Sequence, residues 1–136
     1  MNLEQAISTV NQRFHYQSDP RSFFTDYWFV MQEKDGQLRG DCDDYSITVL
    51  WYLCNENIWT FIWNVLILHR YRLHRVYAKG GWHVVGEAEG QWFDNWTLKA
   101  MSREDLFTRT KHEYQMMYLS PIIAWFLIWG YFRRQP

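Results

Sequence analysis

Cysteine is scarce in this chain: Cys42 and Cys54 are the only two in 136 residues, too few for a disulfide framework. If residues 43 to 54 are helical, the two Cα atoms stand about 18 Å apart at 1.5 Å per residue, beyond bridging reach, so both are expected as free thiols. A charge excess of either sign is also missing. The 14 Lys and Arg face 15 Asp and Glu for a formal net charge of -1, which argues against the phosphate-neutralising surface of a nucleic-acid binder. Met1-Asn2-Leu3-Glu4-Gln5 lacks a basic segment followed by an apolar run, so no secretory leader and a cytoplasmic location are expected. Neither an internal repeat nor a low-complexity tract is present.

What the chain has in excess is rings: 9 Trp, 9 Tyr and 9 Phe. With 48% hydrophobic residues and little net charge, disorder is excluded, and a chain of this size holds a real core as one domain, residues 1–136, without staples. So many rings imply either a core built on large side chains or an exposed binding surface.

Leu3, Ile7, Val10 and Phe14 fall at helical spacing and predict an amphipathic first helix over 3–14. Asp19-Pro20 marks a turn, since a residue before proline is pushed away from helical angles. Ser22 to Gln32 reads as a short second helix, and Lys34-Asp35-Gly36 and Arg39-Gly40 as a loop. From Asp43 to Cys54 the chain is apolar nearly all round, the pattern of a helix buried on most faces. Four β-like runs follow, at 59–68, 69–77, 81–87 and 91–96, broken at Lys79-Gly80-Gly81 and Glu89-Gly90. Helices first and an antiparallel meander after them make the class α+β. Tyr114 to Phe132 carries no charge over 19 positions, but Pro121 splits it into a strand-like 114–119 and an apolar tail. That tail reads as a core element, a membrane contact or an oligomer contact.

The run Arg39-Gly40-Asp41-Cys42-Asp43-Asp44-Tyr45 places a cysteine between a loop and the start of the buried helix. Helix N–H groups there favour thiolate, lowering an ordinary thiol pKa of about 8.5, and the same groups can stabilise an oxyanion. Asp41, Asp43 and Asp44 oppose a thiolate by like charge, so an imidazolium, a cation or the helix N–H groups must offset them. Either Asp41 or Asp43 serves equally as a helix cap. His83, in Gly80-Gly81-Trp82-His83-Val84-Val85-Gly86, shares a strand face with Val85 and is a candidate base. Asp94 ends the next strand, where a hairpin would bring it beside His83 to hold the imidazole tautomer. His15, His69, His74 and His112 show no comparable setting, and no ligand-pair spacing supports zinc.

Gly40-Asp41-Cys42-Asp43-Asp44-Tyr45, the His83-Val-Val strand and Phe93-Asp94-Asn95, in that order, resemble the GDCEDYA, HMVL and LDN blocks of the bacterial transglutaminase-like cysteine proteinase family. Asn11, Tyr16, Asp19 and Asp26-Tyr27-Trp28 match its N-terminal region, and Tyr118-Leu119-Ser120-Pro121 its closing strand, so the likeness covers roughly 10 to 121. It implies a papain-like and transglutaminase-like core, with Cys42 as nucleophile, His83 as general base and acid, Asp94 as orienting carboxylate, and the Cys42 N–H as an oxyanion donor. Gln32 and Gln37 are candidate side-chain donors. Some members of the family bind calcium through carboxylates flanking the cysteine, here Asp41, Asp43 and Asp44, and no other cofactor is implied. Asp43 stands where the pattern has Glu, Ser46 where it has Ala, and Gly86 where it has Leu.

The expected activity is hydrolysis of a peptide or amide bond in a protein or peptide substrate, through an acyl-enzyme. Acyl transfer to an amine uses the same three residues, and a silent aromatic-rich binding module is the rival from another class.

Overall fold

A computed structural model describes residues 1–16, 28–78 and 81–133, the last five as backbone only. The expected Asp19-Pro20 turn, residues 22–27 of the expected second helix, and Lys79-Gly80 lie outside the described residues.

Helix α1 (Leu3–Asn11) opens with a reciprocal cap, in which the Asn2 side chain accepts from the Gln5 N–H and the Gln5 side chain from the Asn2 N–H. Leu3, Ile7 and Val10 are buried, as their spacing predicts. Phe14 does not continue the helix. It begins a short strand, β1 (Phe14–Tyr16), paired in parallel with β2 (Leu38–Gly40), so that Tyr16 lies beside Gly40. Residues 28–32, the described part of the expected second helix, are not helical. They run along α2 (Cys42–Leu53), held by the Phe29 N–H on Asp44 Oδ1 at 3.2 Å and the Met31 N–H on the Thr48 hydroxyl at 2.8 Å.

α2 is the buried helix that the apolar run predicts, with Tyr45, Ile47, Val49 and Leu50 removed from solvent. The next segment departs from expectation. Residues 58–67 form helix α3 (Ile58–Phe61) and a π-helical segment (Ile62–Ile67) instead of a strand. The Asn57 side chain caps the start by accepting from the Thr60 N–H at 3.0 Å, and periodicity alone does not separate a short apolar run in a helix from one in a strand.

The sheet has the order β5-β4-β3-β6, with β3 (Arg72–Ala78), β4 (Gly81–Ala88), β5 (Gln91–Phe93) and β6 (Glu113–Met117). All its pairings are antiparallel. β6 returns along β3 after helix α4 (Arg103–Thr110), an element the sequence reading passes over. Strand alternation divides the apolar residues between two clusters. Leu73, Val84 and Phe93 join α1 and α2, while Val76, Val85 and Trp92 join Met101 and Leu106 of the α4 region. Gly86 is explained by its neighbour: a Cβ there would lie 2.3 Å from Cζ of Phe93, whose ring occupies the space a larger residue needs.

The apolar tail is helix α5 (Ser120–Arg133). Ile123 is buried, Ile122, Phe126 and Leu127 pack on the main core, and the Trp28 N–H donates to the Phe126 carbonyl at 3.1 Å. Its start is pinned by the Ser120 hydroxyl, which donates to the Leu66 carbonyl and meets His69 Nε2. One face therefore completes the core, while Trp125 and Ile128 stay exposed. Among the described residues no helix is long and apolar enough to cross a membrane.

Candidate active site

The first turn of α2 is built from carboxylates. Asp41 is the N-cap, its side chain accepting from the Asp44 N–H at 3.5 Å, while Asp44 Oδ2 accepts from the Asp41 N–H at 3.3 Å. Gly40 allows this closure, because a Cβ there would lie 2.7 Å from the Asp44 Cβ and 2.9 Å from the Met31 sulfur. Tyr45 anchors the turn from below: its hydroxyl donates to Asn11 Oδ1 at 2.7 Å, and Asn11 Nδ2 donates to the Leu98 carbonyl at 2.8 Å. Cys42 is the first helical residue, at the end of α2 where backbone N–H groups have no partner within the helix.

Cys42 is half-buried and shares a cavity of about 200 Å³ with His83. Ala78 and Gly81 line its small side, and the exposed rings of Tyr16, Trp82 and Trp96 surround it. Gln32 and Gln37 are not among the described lining residues. Gln32 lies in a separate apolar groove with Trp51 and Phe61, and the Gln37 side-chain oxygen accepts from Arg39. That groove is larger, about 460 Å³, but holds neither cysteine nor histidine.

The β4–β5 hairpin turns at Glu89 and Gly90, both with positive φ (54° and 77°), the conformation of a two-residue loop matched to strand twist. It places Asp94 just past β5, with His83 Nε2 3.0 Å from Asp94 Oδ2 and both residues buried. Asp94 Oδ1 accepts from the N–H groups of Trp96 and Thr97 and from the Thr97 hydroxyl, at 3.2, 2.9 and 2.9 Å. A fifth contact comes from a histidine for which the sequence offers no setting: His112 Nε2 lies 3.0 Å from the same Oδ2. Burial pushes the Asp94 carboxyl up, but hydrogen bonds from His112, His83 and the Thr97 N–H outweigh it and hold the group well below the usual carboxylate range. An ionised carboxylate only accepts, so His83 and His112 both present Nε2–H to it. His83 also lines the cavity that Cys42 lines, and Nδ1 is its ring nitrogen that Asp94 leaves unengaged.

The structure thus brings Cys42, His83 and Asp94 into one constellation, and adds His112 and Tyr16. Tyr16, marked in the sequence only by its match to an N-terminal region, reaches the cavity through the β1–β2 pairing beside Gly40, and His112, which no local pattern marks, arrives between α4 and β6. The remaining described histidines are placed elsewhere. His74 bonds Glu87 and Tyr114 and stacks on Trp92, His69 meets Ser120, and His15 is exposed. Cys54 is buried, which pushes its thiol pKa up to about 11.

Asp41, Asp43 and Asp44 each bring a carboxylate oxygen within 4.8 Å of the others. Burial, followed by neighbouring carboxylate charge, raises Asp43 and Asp44 well above the ordinary carboxylate range. Asp41 and Asp44 are occupied by the cap and by Phe29, whereas Asp43 Oδ1 is buried with no hydrogen-bond partner.

No family model matches the chain, and no curated protein matches it in sequence. Among solved structures it is similar to Legionella pneumophila LapG in an EGTA-treated form, with a TM-score of 0.52 and 22% identity over 86% of this chain. The chain spans 64% of that protein's length. The likeness carries the fold, a mixed helix and sheet architecture with an antiparallel sheet.

The depressed Asp94 pKa has a definite consequence for stability. The unfolded chain takes up this proton near 3.8 and the folded one resists it, so the group's stabilisation is present in full above that value and is lost as pH falls below it. Denaturant melts from pH 7 to pH 2 are expected to show this acid-side loss in wild type and a shallower one in Asp94→Asn. The substitution should also cost about 1–3 kcal/mol at pH 7 for each buried donor it leaves unsatisfied. Parallel acid profiles for the two proteins would refute the assignment.

Proposed function

We propose that the protein is a cysteine hydrolase that cleaves a peptide or amide bond of a protein or peptide substrate. The observation that supports this most strongly is the shared cavity: a cysteine at the start of a buried helix lines it together with an imidazole whose Nε2 is held by a buried carboxylate. The fold, similar to that of Legionella pneumophila LapG, is compatible with such a site.

In this reading His83 Nδ1 takes the Cys42 proton, and Sγ attacks the carbonyl carbon of the scissile bond. The oxyanion forms near the N-terminal N–H groups of α2. Collapse breaks the C–N bond as the His83 imidazolium gives its proton to the leaving nitrogen, and a thioester on Cys42 remains. Water, deprotonated by His83, attacks the thioester; the acid leaves and the thiol re-forms. Asp94 keeps the imidazole oriented and stabilises the imidazolium while remaining ionised. Incubation with a peptide library, read by mass spectrometry, is expected to give cleaved peptides and, on rapid acid quench, a protein mass increased by an acyl group on Cys42. Cys42→Ala should lose both. Cleavage that survives Cys42→Ala would overturn the reading.

The carboxylates beside the cysteine fit a hard cation with oxygen ligands, since the buried Asp43 Oδ1 has no other partner. We propose that Asp41, Asp43 and Asp44 hold calcium, whose charge offsets theirs beside a thiolate. Added calcium is expected to raise the melting temperature over that in chelator for wild type but not for Asp43→Asn, by roughly 2.7 kcal/mol of stability at a hundredfold excess over Kd. Identical wild-type melts with calcium and with chelator would remove the site.

A further inference from the structure

Asp94 serves two imidazoles where orientation of a base requires only one. His83 and His112 reach the same oxygen at 3.0 Å each, with ring centroids 4.8 Å apart, and Trp96 contacts both, tilted at 5.1 Å from His83 and edge-on at 4.8 Å from His112. Only His83 lines the cavity; the His112 side chain is fully enclosed. Its other nitrogen, Nδ1, is buried and has no hydrogen-bond partner. A protonated Nδ1 would leave an unsatisfied N–H, and on an imidazolium an unsatisfied charge, inside the protein, whereas a neutral ring leaves only a lone pair. With Nε2–H committed to the carboxylate, the neutral Nε2–H tautomer satisfies both ends best.

We propose that His112 is a positioning residue: a buried Nε2–H donor that occupies the second acceptor direction of Asp94 Oδ2. In that role it keeps the carboxylate from turning or taking up water, and so holds His83 with Nδ1 toward Cys42. This inference rests on the cysteine-hydrolase reading. His112 does not touch the reacting atoms, and its effect passes through Asp94 to the His83 ring. A donor is what the role demands, so shape alone does not replace it.

The test joins ¹⁵N spectroscopy of the histidine rings with the rate at which iodoacetamide modifies Cys42, followed by mass spectrometry near neutral pH. In wild type, His112 is expected as the neutral Nε2–H tautomer, and His83 is expected to carry a proton on Nε2. His112→Phe, which removes the donor, should mix the His83 tautomers and slow Cys42 modification by roughly 10–100-fold, by analogy with the range for groups that orient metal-ligating histidines. His112→Gln, which keeps an N–H donor, should recover most of the rate. A wild-type His112 that is doubly protonated or is the Nδ1–H tautomer overturns the inference, and this result needs no variant to fold. So does a folded His112→Phe protein with wild-type rate and unchanged His83 signals. If instead wild-type Cys42 reacts no faster than Cys42 in His83→Ala, the hydrolase reading itself fails and the inference falls with it.

Discussion

α2 is buried over most of its length, and Asp43 and Asp44 of its first turn are buried with it, so the polar groups there depend on partners inside the protein. The local structure follows from this constraint. Asp41 and Asp44 bond each other's backbone, Asp44 also draws in the segment at Phe29, Gly40 leaves room for the closure, and Tyr45 ties the turn to Asn11. Cys42 is thereby fixed at the mouth of the cavity. Of the six residues from Gly40 to Tyr45, four are accounted for by packing and capping. The two left over are Cys42, which faces the cavity, and Asp43, which keeps a buried oxygen without a partner.

Two groups of carboxylates lie near this turn in opposite electrostatic states, and the separation of their tasks follows from their surroundings. Asp94 is surrounded by donors, two imidazoles, two backbone N–H groups and a hydroxyl, and these outweigh its burial. Asp43 and Asp44 are surrounded by burial and by each other, and are pushed the other way. A carboxylate held ionised can orient a base, whereas a cluster that resists ionisation calls for a proton or a cation. Cys42 stands next to the second group, so whatever neutralises those carboxylates also sets the field that its sulfur meets.

The mixed helix and antiparallel sheet architecture was legible because α1 and α2 announce themselves by periodicity and by an unbroken apolar run, and because Glu89-Gly90 marks a tight hairpin. The stretch 59–67 was not, since its rings and branched residues suit a strand as well as a helix and only the Asn57 cap decides. α4 was overlooked because it buries little more than Leu106. At the site, Cys42, His83 and Asp94 stand out through a helix start, strand alternation and a hairpin, all features of short range. His112 and Tyr16 do not, because β6 folding back on β3 and the parallel β1–β2 pair bring together positions that are far apart in sequence. The ring-rich composition proves to be divided: Trp28, Tyr45 and Phe93 are core, while Trp82 and Trp96 rim the cavity half-exposed.

The central claim is that Cys42, His83 and Asp94 act as one unit, and the comparison of the two cysteines within one molecule tests it most directly. Iodoacetamide modification near neutral pH, with each cysteine followed separately by mass spectrometry, should label Cys42 rapidly and leave Cys54 untouched. His83→Ala should erase most of that difference. Equal, slow labelling of both cysteines in the wild-type protein would contradict the account.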